Sequence, residues 1–125
     1  MNFLSKAEVL ELQHDQIEDF GGTHGLRDDG AFESALMAPH NRLDYEQADE
    51  VKCAATYGYH LSQTHAFIDG NKRVAAAAML VFLDSNGFEV EASLDELIAL
   101  FLQLASGEVN RDQLEQFLRE RIIQI

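Results

Sequence analysis

The run THAFIDGNKRVAAAAMLVFL, from Thr64 to Leu83, packs a histidine, a carboxylate, an amide and two cations into nine residues, then continues with ten apolar ones. A helix that is apolar on nearly every face belongs at the centre of a bundle. Val74 to Leu83 therefore fixes where its own N-terminus lies. That terminus presents unpaired backbone N–H groups and a partial positive charge. Lys72 and Arg73 add two full charges in the first turn, where the helix dipole disfavours cations; an anion bound there offsets the cost. Gly70 permits a sharp turn into the helix and a close ligand approach. Asp69 would repel a phosphate unless magnesium lies between them. Magnesium takes one or two carboxylates and fills its other positions with phosphate oxygens and water. A histidine at position 65, four residues upstream, is a side-chain type that can accept a proton from a hydroxyl near neutral pH. Phe67, between His65 and Asp69, would pin the loop to the core. The set is a base (His65), a metal ligand (Asp69) and an anion cradle of backbone N–H groups, Asn71, Lys72 and Arg73. Those are the parts of phosphoryl or nucleotidyl transfer, a chemistry of positioning and charge neutralisation. Taken singly they have plainer roles: Asn71 or Asp69 as a helix N-cap, Lys72 and Arg73 as a solvated turn, His65 as a structural histidine.

Capping signals lay out the elements that must position this loop. Ser5 with Glu8 reads as a capping box, and the helix behind it carries Val9, Leu10, Leu12, Ile17 and Phe20 before stopping at Gly21-Gly22. The loop GGTHGLRDDG follows. Asp28 or Asp29 caps a short helix through Phe32, Ala35 and Leu36 that ends near Pro39. HNRLDYEQ has little helical period and reads as a loop or small hairpin. Asp49 caps a helix over roughly Glu50 to Gln63. The apolar helix stops at Asn86-Gly87, and FEVEA alternates as a brief extended piece. Ser93 with Glu96 opens a helix through Leu97, Leu100, Phe101 and Leu104. Asn110 with Gln113 opens the last, through Leu114, Phe117, Leu118 and Ile122. The expected fold is all-α: about six helices around a central apolar helix, a single domain over residues 1–125, with at most a small β flap.

Net charge is −13, from nine basic and 22 acidic residues. Such a field repels nucleic acid and favours basic partners, so any phosphate site must be built locally from a few aimed groups. One cysteine, Cys53, rules out an internal disulfide and fits a reducing cytosol; its helical setting reads as a small buried residue. The N-terminus lacks the pattern of a signal peptide, and Val74 to Leu83 is half a membrane span. The expected location is cytoplasmic, with no membrane contact. The other histidines, His14, His24, His40 and His60, show no metal-ligand spacing in the sequence. No Gly-x-Ser-x-Gly, Walker or dinucleotide motif is present.

HAFIDGNKR, His65 to Arg73, resembles the Fic motif His-x-Phe-x-(Asp/Glu)-Gly-Asn-x-Arg, and the lysine before the arginine is similar to the Doc branch of that family, the death-on-curing toxins of toxin–antitoxin pairs. HDQIEDFGGTHGLRDDGAFESAL, RLDYEQ, AATYGYHL and LVFLDSNGFEV match that branch in kind and order, so the likeness covers about residues 10 to 90. The resemblance implies a Fic fold, with His65 deprotonating a target hydroxyl, Asp69 holding Mg2+, and Gly70, Asn71 and Arg73 in the anion hole. It implies ATP as substrate. Lys72 stands where AMP-transferring members carry glycine, and Ala76 where they carry a second arginine; both departures weigh against AMP transfer. The lysine-bearing loop of the Doc branch implies transfer of the γ-phosphate to elongation factor Tu and inhibition of translation. Gly70 follows the general Fic pattern, where Doc itself has alanine. The alternatives are an AMP-transferring nucleotidyltransferase and an inactive interaction module, against which an intact His65 and Asp69 speak. NRLDYEQ falls where Fic proteins hold the target in a flap. The self-silencing motif of many members, Ser/Thr-x-x-x-Glu-Gly/Asn, finds its nearest match at Ser85 and Glu89, broken by Asn86-Gly87. Inhibition by a Phd-like antitoxin in trans is therefore expected.

Overall fold

The computed structural model describes residues 1–125 as α1 (Lys6–Phe20), α2 (Asp29–Glu46), α3 (Glu50–Gln63), α4 (Asn71–Ser85), β1 (Phe88–Val90), α5 (Leu94–Ser106), α6 (Arg111–Arg121) and β2 (Ile122–Gln124). The helix starts lie where the caps put them. Ser5 with Glu8, Ser93 with Glu96 and Asn110 with Gln113 close reciprocal capping boxes. Asp28 accepts the Ala31 N–H and Asp49 the Lys52 N–H. Each cap satisfies donors that a helix start otherwise leaves orphaned, and is worth about 1 kcal/mol.

Helix α4 sits inside the bundle, with none of its residues from Val74 to Leu83 exposed. It packs against α1, α3, α5 and β1, while α3 packs against α2, α4, α5 and α6. Two helices thus share the centre. Gly58 makes their crossing close: a Cβ there would meet Met79 Sδ at 3.1 Å and carbons of Leu114 and Phe101 at 3.3 Å.

Three local expectations are corrected. Helix α2 does not end near Pro39; it runs through it to Glu46. Pro39 is itself buried and the helix beyond it is tied to α3, where Arg42 Nη1 donates to Thr56 Oγ1 at 3.0 Å, while within α2 Arg42 Nε donates to Glu46 at 2.8 Å. That docking outweighs the lost backbone bond of an interior proline. The segment read as a loop, hairpin or target-holding flap is therefore helical, apart from Gln47, the left-handed C-cap of α2. The small sheet lies elsewhere, where β1 pairs antiparallel with β2 and Val90 faces Ile122. Ile122 accordingly leaves the last helix and turns extended. Ser85 ends α4 and Glu89 lies in β1, so no inhibitory helix joins them. No helix is long and apolar enough to cross a membrane.

Candidate active site

Two loops meet over the start of α4. The 64–70 loop alternates: Ala66 and Phe67 are buried, whereas His65, Ile68 and Asp69 are exposed. Phe67 anchors it, 1% exposed with its ring 5.1 Å from that of Phe32. The 21–28 loop zips alongside, with Arg27 N–H donating to the Ala66 carbonyl at 2.8 Å and Ile68 N–H to the Gly25 carbonyl at 3.1 Å. Arg27 Nε also donates to the His65 carbonyl at 3.0 Å. That bond restrains His65 in the left-handed region, φ 49°, a conformation uncommon for a side-chain-bearing residue and tolerated where surroundings enforce it.

Asn71 closes the loop on itself. Its Oδ1 accepts the Phe67 N–H and its Nδ2 donates to the Phe67 carbonyl, both at 3.0 Å. The side chain is thus tied to the backbone, and Asn71 can meet an anion through its main-chain N–H and the second Nδ2 hydrogen. Neither Asn71 nor Asp69 serves as the N-cap: that position is Gly70, φ 80°, and no side chain caps α4. The first-turn N–H groups are left without a side-chain acceptor. Lys72 and Arg73, exposed beside them, form no ion pair. The Arg73 guanidinium stacks over the Phe20 ring, 4.8 Å from its centroid.

His65, Asp69, Gly70, Asn71, Lys72 and Arg73 line one open depression of about 480 Å³, with the Gly21-Gly22 turn forming its other wall. Asp69 is the sole carboxylate on it. Asp69 Oδ2 accepts the Thr23 N–H at 2.8 Å, which leaves Oδ1 without a protein partner. One free carboxylate oxygen beside uncapped N–H groups and two cations fits magnesium bound largely through phosphate and water. Gly22, φ 117°, backs this carboxylate so closely that a Cβ would lie 3.1 Å from Asp69 Cβ.

Sequence reasoning missed the supports. Gln13 is buried in α1 and its amide spans Thr23 O, Asp69 O and Gly25 N at 3.4–3.5 Å. Its signal was a polar residue in the apolar stripe Val9–Gln13–Ile17, all three buried. Thr23 and Arg27 act across 46 and 38 residues of chain, through contacts that no local pattern carries. Cys53 is buried, and burial pushes its thiol up to about 11, so it is an inert packing residue.

Beside the depression lies an apolar groove of about 440 Å³ between α1, α4 and α5, walled by Phe20, Leu80, Leu97, Ile98 and Leu102, with Lys72 and Arg73 on the shared rim.

The family model described as "Fic/DOC family" matches residues 3–83. "Protein kinase doc" of Escherichia phage P1 is 33% identical over 120 residues, 95% of this chain and 94% of the relative. "Toxin Doc" of Mycolicibacterium smegmatis is 36% identical over 81 residues, 61% of this chain and 60% of the relative.

Proposed function

Because the chain belongs to the Fic/DOC family, we propose that it is a Doc-like toxin that transfers the γ-phosphate of ATP to a hydroxyl of a translation factor, elongation factor Tu. The observation that carries this reading is the uncapped start of α4, where Lys72 and Arg73 stand without ion-pair partners. The name of the phage P1 relative supports the kinase form.

His65 takes the proton of the target hydroxyl. The hydroxyl oxygen then bonds to the γ-phosphorus as the bond from that phosphorus to the bridging oxygen breaks, and ADP leaves. Charge on the phosphoryl group is met by Lys72, Arg73 and the N–H groups of Gly70, Asn71 and the following turn. Asp69 would hold Mg2+, which would supply neutralisation of phosphate charge. The Phe67 anchor and the Asn71 clasp keep His65 and Asp69 at fixed places on one wall, so little ordering remains at the moment of reaction.

The adjoining groove is the place for a Phd-like antitoxin segment in trans. Its apolar walls suit one face of a helix that folds on binding, and Lys72 and Arg73 on its rim suit acidic residues at that segment's end. Location in the cytoplasm follows from such a target and partner.

The test is intact-mass analysis of elongation factor Tu after incubation with this protein, ATP and magnesium. A phosphoryl increment is the expected result. An adenylyl increment would replace the reading with AMP transfer, and an unmodified protein with an inactive interaction module.

A further inference from the structure

Away from the depression, the turn after α1 brings three ligand-type side chains together. His14 and Glu18 lie one helical turn apart on α1, and Gly21-Gly22 reverses the chain so that His24 returns over them. The rings of His14 and His24 stack at 4.6 Å between centroids. Glu18 Oε1 lies 2.8 Å from His24 Nε2 and 4.0 Å from His14 Nε2. One ligand atom from each residue lies within 4.8 Å of the others. Sequence spacing hides this set, because the two histidines stand ten residues apart and only the glycine turn makes them neighbours.

We propose that His14, Glu18 and His24 form a binding site for a divalent transition metal of the zinc class, distinct from the magnesium ligand Asp69. Two imidazoles and one carboxylate are a donor set that zinc takes and that magnesium, which wants oxygen, does not. Zinc bonds of about 2.1 Å place ligand atoms about 3.4 Å apart in a tetrahedron. The observed separations reach that value by rotation of side chains that are 62%, 59% and 45% exposed, with no change in the core. Solvent completes the coordination. Without metal, Glu18 is hydrogen-bonded to His24 alone, and His14 meets the pair through ring stacking.

The position gives the ion a consequence. Thr23, adjacent to His24, donates its N–H to Asp69 Oδ2 at 2.8 Å, and Gly22 packs against the same side chain. A metal joining His24 to α1 closes the 21–24 turn onto the helix and restrains the backbone that orients Asp69. The zinc site itself does not depend on the reaction proposed above.

The test uses the tag-free, metal-stripped full chain without ATP or target, so its outcome is separate from that of the kinase assay. Zn2+ is titrated against a competing chromophoric chelator, with Co2+ absorption as a report of nitrogen ligation. The expected result is one Zn2+ per chain, weakened at least about tenfold by either His14→Ala or His24→Ala, since even an outer partner of a metal ligand is worth that much. Both residues are exposed, and unchanged melting of the metal-free variants confirms folding. Asp69→Asn and His65→Ala should leave the zinc affinity unchanged. Amide exchange at Thr23 should slow with zinc in the parent and not in His24→Ala. No saturable binding tighter than about 100 µM, or binding lost in Asp69→Asn and retained in His24→Ala, overturns the site; unchanged Thr23 exchange overturns the coupling.

Discussion

Gly22→Ala tests whether the turn after α1 supports the carboxylate at 69, and Gly21→Ala supplies the control. Both glycines have positive φ, 88° and 117°, so alanine at either strains the backbone by about 1–3 kcal/mol. Loss of unfolded-chain entropy returns roughly 0.4–1 kcal/mol of that. The two differ in what a methyl group meets. At Gly21 nothing lies within 4 Å; at Gly22 the new carbon would lie 3.0 Å from Ile17 Cδ1, 3.1 Å from Asp69 Cβ and 3.4 Å from Asp69 Oδ2. Ile17 is buried, 4% exposed, so the exposed Asp69 is the neighbour that yields. As it moves, its 2.8 Å bond from Thr23 N–H stretches. Each variant should lose about 1–2 kcal/mol in urea unfolding, and Gly22→Ala should in addition bind ATP with magnesium roughly tenfold more weakly, the equivalent of about 1.4 kcal/mol. Titration calorimetry on the three proteins reads the difference. Equal ATP affinity in Gly21→Ala and Gly22→Ala would refute the contact argument, and equal affinity in all three would remove the turn from the site.

Asp69→Asn keeps size and the bond from Thr23 but loses the charge that magnesium requires; magnesium-dependent ATP binding should fall with melting unchanged, and equal affinity would take Asp69 out of the metal site. Lys72→Gly removes a point charge from the phosphate cradle, worth a few kcal/mol, so γ-phosphate transfer should slow roughly 100-fold or more; ATP labelled at the α or the γ position shows which group moves, and parent-like γ transfer would exclude Lys72 from the reaction. Burial pushes the Cys53 thiol up from 9.0 to about 11 and the Tyr57 hydroxyl up from 10.0 to about 12. Both folded values exceed the unfolded ones, so their contribution is complete below pH 9 and is lost as pH rises, through 9–11 for Cys53 and 10–12 for Tyr57. Urea unfolding at stepped pH should show falling stability across that range, and a flat profile would contradict it.

What could be read from the sequence was local. A capping box spans four residues and satisfies its donors within them, so Ser5, Ser93 and Asn110 marked helix starts before any fold was known. The apolar helix declared its burial through composition, and its polar start marked the depression that all six chosen residues line. Misreadings occurred where a distant partner outweighs the local rule. Pro39 should end a helix, but burial and the Arg42–Thr56 bond carry α2 on to Glu46. Ile122 continues a helical period, but pairing with Val90 draws it into a strand. Within the site the motif supplied the chemical groups, while Gln13, Thr23 and Arg27, which hold the two loops together, belong to segments that the motif does not include.

The charge balance explains why those supports matter. With 22 acidic residues against nine basic ones, four of the nine cations have found a carboxylate: Lys6, Arg42, Arg119 and Arg121. Lys72 and Arg73 have not, although Asp69 precedes them by three and four residues, close enough to fold onto either. Their remaining neighbours on the wall are Phe20, Ile68, His65, three glycines and Asn71, none of them a carboxylate. Remote acidic residues are screened beyond a Debye length of about 8 Å, so the carboxylate that could neutralise the pair is Asp69 itself. The Thr23 N–H bond at 2.8 Å holds that carboxylate to the 21–25 loop, and the Arg73 guanidinium stacks on Phe20 instead of pairing with it. The loop contacts thus do more than fix geometry: they hold a negative and a positive group on one wall without an ion pair between them, as the proposed metal and phosphate roles require.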